Sequence, residues 1–88
     1  MKEDALILDA LRQMKLQGVR FLYGRYADSM EMIAYYFLGD KTEAKYLVGE
    51  VVWDLWLHNK FVDVEPPLRK FLYSEIKKAC HEALKQTA

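Results

Sequence analysis

Apolar residues recur along this chain at spacings of three and four, and no stretch alternates every second residue, so the pattern predicts helices and no sheet. The interruptions are Gly18, the pair Gly39 and Asp40, and the stretch from Asn59 to Pro67. They divide the chain into four segments. The first, about residues 4–16, is rich in Leu and Ala and has Asp4 near its start. The second, about 19–38, places Leu22, Tyr26, Met30, Ile33 and Phe37 on one face and stops at Gly39. The third, about 42–58, has a buried stripe of Ala44, Leu47, Val48, Val51 and Leu55, with Thr42 as its expected cap. The fourth, about 67–86, takes Pro67 into its first turn and points Leu68, Phe71, Leu72, Ile76, Ala79 and Ala83 inward. The expected fold is all-α, a compact bundle of four helices forming one domain over residues 1–88.

Composition permits such a bundle and leaves apolar surface over. With 52% hydrophobic and 14% aromatic residues in 88, the chain fills a small core and has side chains to spare for a partner. Cys80 is its single cysteine and forms no internal disulfide, and neither a signal-peptide pattern nor a membrane-length apolar run is present. The expectation is a soluble protein of a reducing cytoplasm, with no membrane partner. The net charge of zero argues against indiscriminate nucleic-acid binding, yet the charge is unevenly placed. From Pro66 onward Arg69, Lys70, Lys77, Lys78 and Lys85 face only Glu75 and Glu82, which makes that stretch net plus three and the rest net minus three. Such asymmetry suits a domain with two different partners.

No active site is visible. His58 and His81 lie on different segments, no pair of histidines or acids has metal-site spacing, and no glycine-rich phosphate loop occurs, so no metal, cofactor or catalytic role is expected. Cys80 and His81 adjoin, but neighbours on a helix point about 100° apart, and a buried structural cysteine is the expected reading. The third helix is apolar nearly all round. Beyond its buried stripe, Tyr46, Trp53, Trp56 and Leu57 cluster on the opposite side, which is either the surface of a central, enclosed helix or a protein-binding patch. On the fourth helix Lys70, Ser74, Lys77, Lys78, His81 and Lys85 turn away from the apolar face, either as a solvated surface or as a basic stripe. Phe61, in the preceding connection, is placed to stack on an unpaired base or to plug the end of the bundle.

These pieces resemble region two of extracytoplasmic-function sigma factors. Leu22, Tyr23, Arg25 and Tyr26, then Leu38, Gly39 and Asp40, then Ala44, Leu47, Val48, Glu50, Val51, Leu55 and Trp56 are similar to the family's L-Y-x-x-Y, L-G-D and A-E-D-L-V-Q-E-V-F-L-x-L-W. Phe71, Leu72, Tyr73, Ile76, Lys77, Cys80, Glu82, Leu84 and Lys85 are similar to its Y-L-F-x-x-x-R-N-x-C-x-D-x-L-R, and the register holds from about residue 22 to 85. The chain departs from the pattern at Lys45, Tyr46 and Gly49, where the family has Glu-Asp and Gln, and at Lys78, where it has Asn.

The resemblance implies a transcription initiation factor domain and not an enzyme. Its partners would be the clamp coiled coil of the core RNA polymerase largest subunit, the single-stranded non-template strand of the promoter minus-ten element, and an anti-sigma factor. The polymerase would be met by Tyr46, Gly49, Glu50, Trp53 and Leu57 of the third helix. DNA would be held by Phe61, Lys70, Ser74, Lys77, Lys78, His81 and Lys85. The family's helix-turn-helix domain, which reads the minus-thirty-five element, is not among these 88 residues, so the expectation is either a piece of a longer factor or a single-domain relative. A sigma-like module that binds protein but not promoter DNA is the alternative reading.

Overall fold

A computed structural model describes residues 2–87, and within them the chain forms α1 (Lys2–Arg12), α2 (Leu16–Leu38), α3 (Lys41–Leu57) and α4 (Leu68–Thr87). The all-helical, four-helix expectation holds, and the boundaries are where local chemistry differs from the sequence reading. α1 stops at Arg12 instead of residue 16 because Met14 adopts a left-handed conformation, φ 59°. The Met14 N–H then bonds the Leu11 carbonyl at 3.0 Å and the Lys15 N–H the Ala10 carbonyl at 3.0 Å, the paired bonds of a Schellman cap. Gly18, expected to break the chain, instead lies inside α2, where a Cβ would stand 2.8 Å from the Leu11 amide nitrogen. Its missing side chain lets α1 and α2 touch backbone to backbone.

The other ends follow the same rules. Gly39 closes α2 in the left-handed region, φ 71°, as expected. The cap of α3 is Asp40 and not Thr42: the Asp40 carboxylate accepts the Glu43 N–H at 2.9 Å, and Thr42 lies inside the first turn. Asn59, φ 52°, ends α3 with a second Schellman pair, Asn59 N–H to Trp56 and Lys60 N–H to Leu55. α4 begins at Leu68, one residue later than expected, so Pro67 precedes the first turn.

α2 is the central element and packs against each of the other three helices. Leu22, Met30, Val48, Val52, Leu68, Leu72 and Ile76 form the fully buried interior, with Leu8 and Leu11 contributed by α1. The buried side of α3 is rotated from the expected stripe: Ala44, Val48 and Leu55 are inside with Val52 and Trp56, whereas Leu47 and Val51 are only half-buried. α3 presses mainly on α2, and its contact with α4 is slighter.

Two polar ties close the bundle through α1. Arg12, the last residue of α1, donates from Nε to the Phe61 carbonyl at 3.3 Å and from Nη2 to the Val64 carbonyl, holding down the 58–67 connection. Asp4, 1% exposed, accepts the Tyr26 hydroxyl of α2 and the Leu68 N–H of α4, the latter at 3.0 Å. One carboxylate thus joins three helices and satisfies an N–H that the start of α4 would otherwise leave unpaired.

Candidate protein-binding face and nucleic-acid groove

The outer face of α3 is bare. Tyr46 is 71% exposed, Leu57 51% and Trp53 49%, with Glu50 exposed among them and Gly49 half-buried beneath the Tyr23 hydroxyl. Trp56, expected on this face, is instead 9% exposed and part of the core, because the α2–α3 contact rotates it inward. It still shapes the face: its ring lies 5.2 Å from that of Trp53, tilted by 58°, and backs the exposed indole against solid protein. A half-exposed Trp already packed on a buried neighbour has less freedom to lose on being covered, which is the property of an interface anchor. Trp56 Nε1 is buried without a hydrogen-bond partner among the described residues.

Only some of the basic residues of α4 line a groove. Lys70, Ser74 and Lys77 recur one turn apart and line a concavity of about 580 Å³ with Arg69 and Tyr73 of the same helix and Asp4, Arg25 and Tyr26 from across the bundle. Arg25 is held at its mouth: Nε donates to the Tyr26 hydroxyl at 3.3 Å and lies 3.5 Å from Asp4, and Nη2 lies 3.7 Å from Glu3. Its guanidinium also sits over the Tyr26 ring, 5.6 Å from the centroid. Four cations therefore converge on one groove that contains aromatic and hydroxyl groups. Burial would raise the Asp4 pKa, but the bonds from Tyr26 and Leu68 and the charge of Arg25 outweigh it and leave the value lowered. Burial raises Tyr26, and its bond to Asp4 adds to the effect, so the phenol remains a donor.

Lys78 and Lys85 do not line this groove. Lys78 pairs with Glu75 at 3.0 Å and Lys85 with Glu82 at 3.9 Å, so neither joins the groove. His81 is exposed and lies against Phe37, with 5.3 Å between ring centroids. Of the two readings of Phe61, a stacking residue or a plug, its burial fits the plug and counts against the DNA-binding role the resemblance implies: it is 0% exposed, packs on Phe71 with centroids 5.8 Å apart, and closes the end of the bundle. Sequence reasoning missed Arg25 and Arg69 as groove residues. Arg69 adjoins Lys70 and was legible as charge, but nothing local to α2 shows that Arg25 faces the start of α4.

Comparison with protein-family models, with curated proteins and with solved structures finds no match to this chain. The two surfaces must therefore be read from their chemistry. Among the described residues no group of three or more His, Cys, Asp or Glu is gathered for a metal ion, and no helix is long and apolar enough to cross a membrane. Cys80 is buried and its thiol is pushed up by that burial, which keeps it protonated and disfavours nucleophilic use.

Proposed function

We propose that this chain is a transcription initiation factor domain of the extracytoplasmic-function sigma type, acting in the bacterial cytoplasm. Its α3 outer face docks on the clamp coiled coil of core RNA polymerase, and its cationic groove holds the opened non-template strand at the minus-ten element. The observation that carries the reading is the separation of two chemically distinct surfaces: an aromatic row on α3 around Glu50, and a four-cation groove between α2 and α4. An aromatic row with one acid suits a protein partner, whereas converging Arg and Lys beside Tyr73 and Tyr26 suit phosphates followed by a base or sugar. The sequence resemblance assigns these partners to the same two helices. A module that binds protein alone is the competing reading, favoured by the burial of Phe61, which removes the aromatic from the connection.

The DNA half of this proposal predicts a salt dependence. Each phosphate neutralised on a single strand contributes a slope of about 0.7 in log affinity per log salt, so four contacts give a slope of about 3. Anisotropy of a labelled minus-ten oligonucleotide across a salt series is expected to lose about 1.4 of that slope in a Lys70→Ala/Lys77→Ala variant. The Lys78→Ala/Lys85→Ala variant is expected to change it little, since those lysines are outside the groove and paired with their own helix. A wild-type affinity independent of salt would favour the protein-only module.

A further inference from the structure

The inward turn of α3 has a consequence on its other edge. Leu47, Val51 and Leu55 of α3 and Ala79 and Ala83 of α4 form the floor of an open trough between the two helices, all but Leu55 only half-buried. A second concavity, which shares Leu47, Glu50, Ala83 and Gln86 with it, prolongs the trough toward Leu38 and Thr42; the two measure about 510 and 590 Å³. From Glu43 to Leu55 the trough follows α3 for about 18 Å at 1.5 Å per residue, the length of three helical turns. Alanines one turn apart on α4 make that wall shallow, so a helical backbone can come close.

The rim is acidic. Glu43, Glu50 and Asp54 stand along the α3 side and Glu75 and Glu82 along the α4 side; Lys78 is bonded to Glu75 and Lys85 pairs with Glu82 at 3.9 Å, so five acids face two lysines. An apolar floor between acidic margins is complementary to an amphipathic helix with an aliphatic stripe and basic flanks, laid in by the helix-in-groove mode. We propose that the α3–α4 trough is a docking site for a basic amphipathic helix of another protein. The site does not rest on the transcription reading: it shares Tyr46 and Glu50 at its edge with the α3 outer face, but uses neither Trp53 nor Leu57 and none of the cationic groove.

The probes are three labelled helical peptides of about 14 residues, long enough for the trough at 1.5 Å per residue. One has a leucine stripe flanked by lysines, the second has glutamates in place of the lysines, and the third has the composition of the first with its stripe scrambled. Anisotropy at moderate salt is expected to show the lysine peptide binding at least tenfold tighter than either control. Ala83→Phe, which fills the floor, is expected to weaken it at least tenfold, and Glu50→Lys/Glu82→Lys, a surface change that spares the fold, is expected to reverse the preference toward the glutamate peptide. Trp53→Ala is expected to leave peptide affinity unchanged even if it abolishes polymerase docking, so the two proposals fail separately. Equal binding of the lysine and glutamate peptides, loss of binding on Trp53→Ala, or a dimer in sedimentation that Ala83→Phe dissociates would overturn the proposal, the last by assigning the trough to a second copy of the chain.

Discussion

Asp4→Ala is expected to be among the most destabilising single substitutions in the molecule. The carboxylate is buried and is the acceptor for both the Tyr26 hydroxyl and the Leu68 N–H, so its removal leaves a hydroxyl proton and a helix-initiating amide in the interior without that acceptor. Each such group costs about 1–3 kcal/mol, so the two together cost about 2–6 kcal/mol. For a domain of this size, 1 kcal/mol corresponds to a fall of about 4–8 °C in Tm, and the variant is expected to melt at least about 8 °C below wild type. Asp4→Asn keeps one carbonyl acceptor and is expected to recover part of the loss.

The same residue sets an acid dependence whose sign follows from its lowered pKa. A carboxylate with a folded value below its unfolded one stabilises the fold fully above the unfolded value, about pH 4. That contribution disappears as the pH falls through the folded value, because protonating one carboxylate oxygen weakens the bonds from Tyr26 and Leu68 and the attraction of Arg25 that hold the charged form. Thermal melts from pH 6 down to pH 2 are expected to show a steeper decline in wild type than in Asp4→Asn. Parallel curves would mean that Asp4 is not the anchor of the bundle.

How much of this was legible beforehand depended on whether the signal was local. Helix number, the apolar faces of α2 and α4 and the stop at Gly39 follow from periodicity and turn chemistry within one segment, whereas periodicity left the row of Tyr46, Trp53 and Leu57 open between an enclosed helix and the exposed patch found. The end of α1 was not legible because Met14 takes a backbone conformation usually assigned to Gly, while Gly18 serves close packing and not a turn. Two adequate caps, Asp40 and Thr42, lie two residues apart, and the capping-box spacing from Asp40 to Glu43 decides between them. Trp56 went inside because a side chain facing outward in a helix projection is buried where a neighbouring element covers it, and Phe61 because the connection that carries it is tied to Arg12 and packed on Phe71. Arg25 and Asp4 entered the groove through contacts between α1, α2 and α4 that no single segment encodes.

Phe61→Ala is expected to have an effect of similar size, through a different cause. Phe61 is the largest fully buried side chain, packed edge to face on Phe71 beneath the connection that Arg12 holds. Truncating a buried Phe costs about 3–5 kcal/mol in lost transfer energy and residual cavity. Urea titration followed by circular dichroism is expected to show the midpoint falling with little change in slope. Phe61→Leu, which keeps most of the volume, is expected to retain most of the stability. The pair also separates packing from DNA stacking, since a stacking residue would lose oligonucleotide affinity in both variants while folding survived in the leucine one. Wild-type stability in Phe61→Ala would show that the ring is not part of the core.

The central claim is that the outer face of α3 docks on RNA polymerase, and calorimetric titration of the chain with the isolated clamp coiled coil of the largest subunit tests it most directly. The account predicts saturable one-to-one binding that Trp53→Ala weakens by about 2 kcal/mol or more, roughly thirtyfold, because the exposed indole is backed by Trp56 at the centre of the aromatic row. Glu50→Ala is expected to weaken it further in the double variant, while Lys70→Ala/Lys77→Ala leaves it unchanged. No detectable heat with the coiled coil, or an affinity that ignores Trp53 and Glu50, would contradict the account.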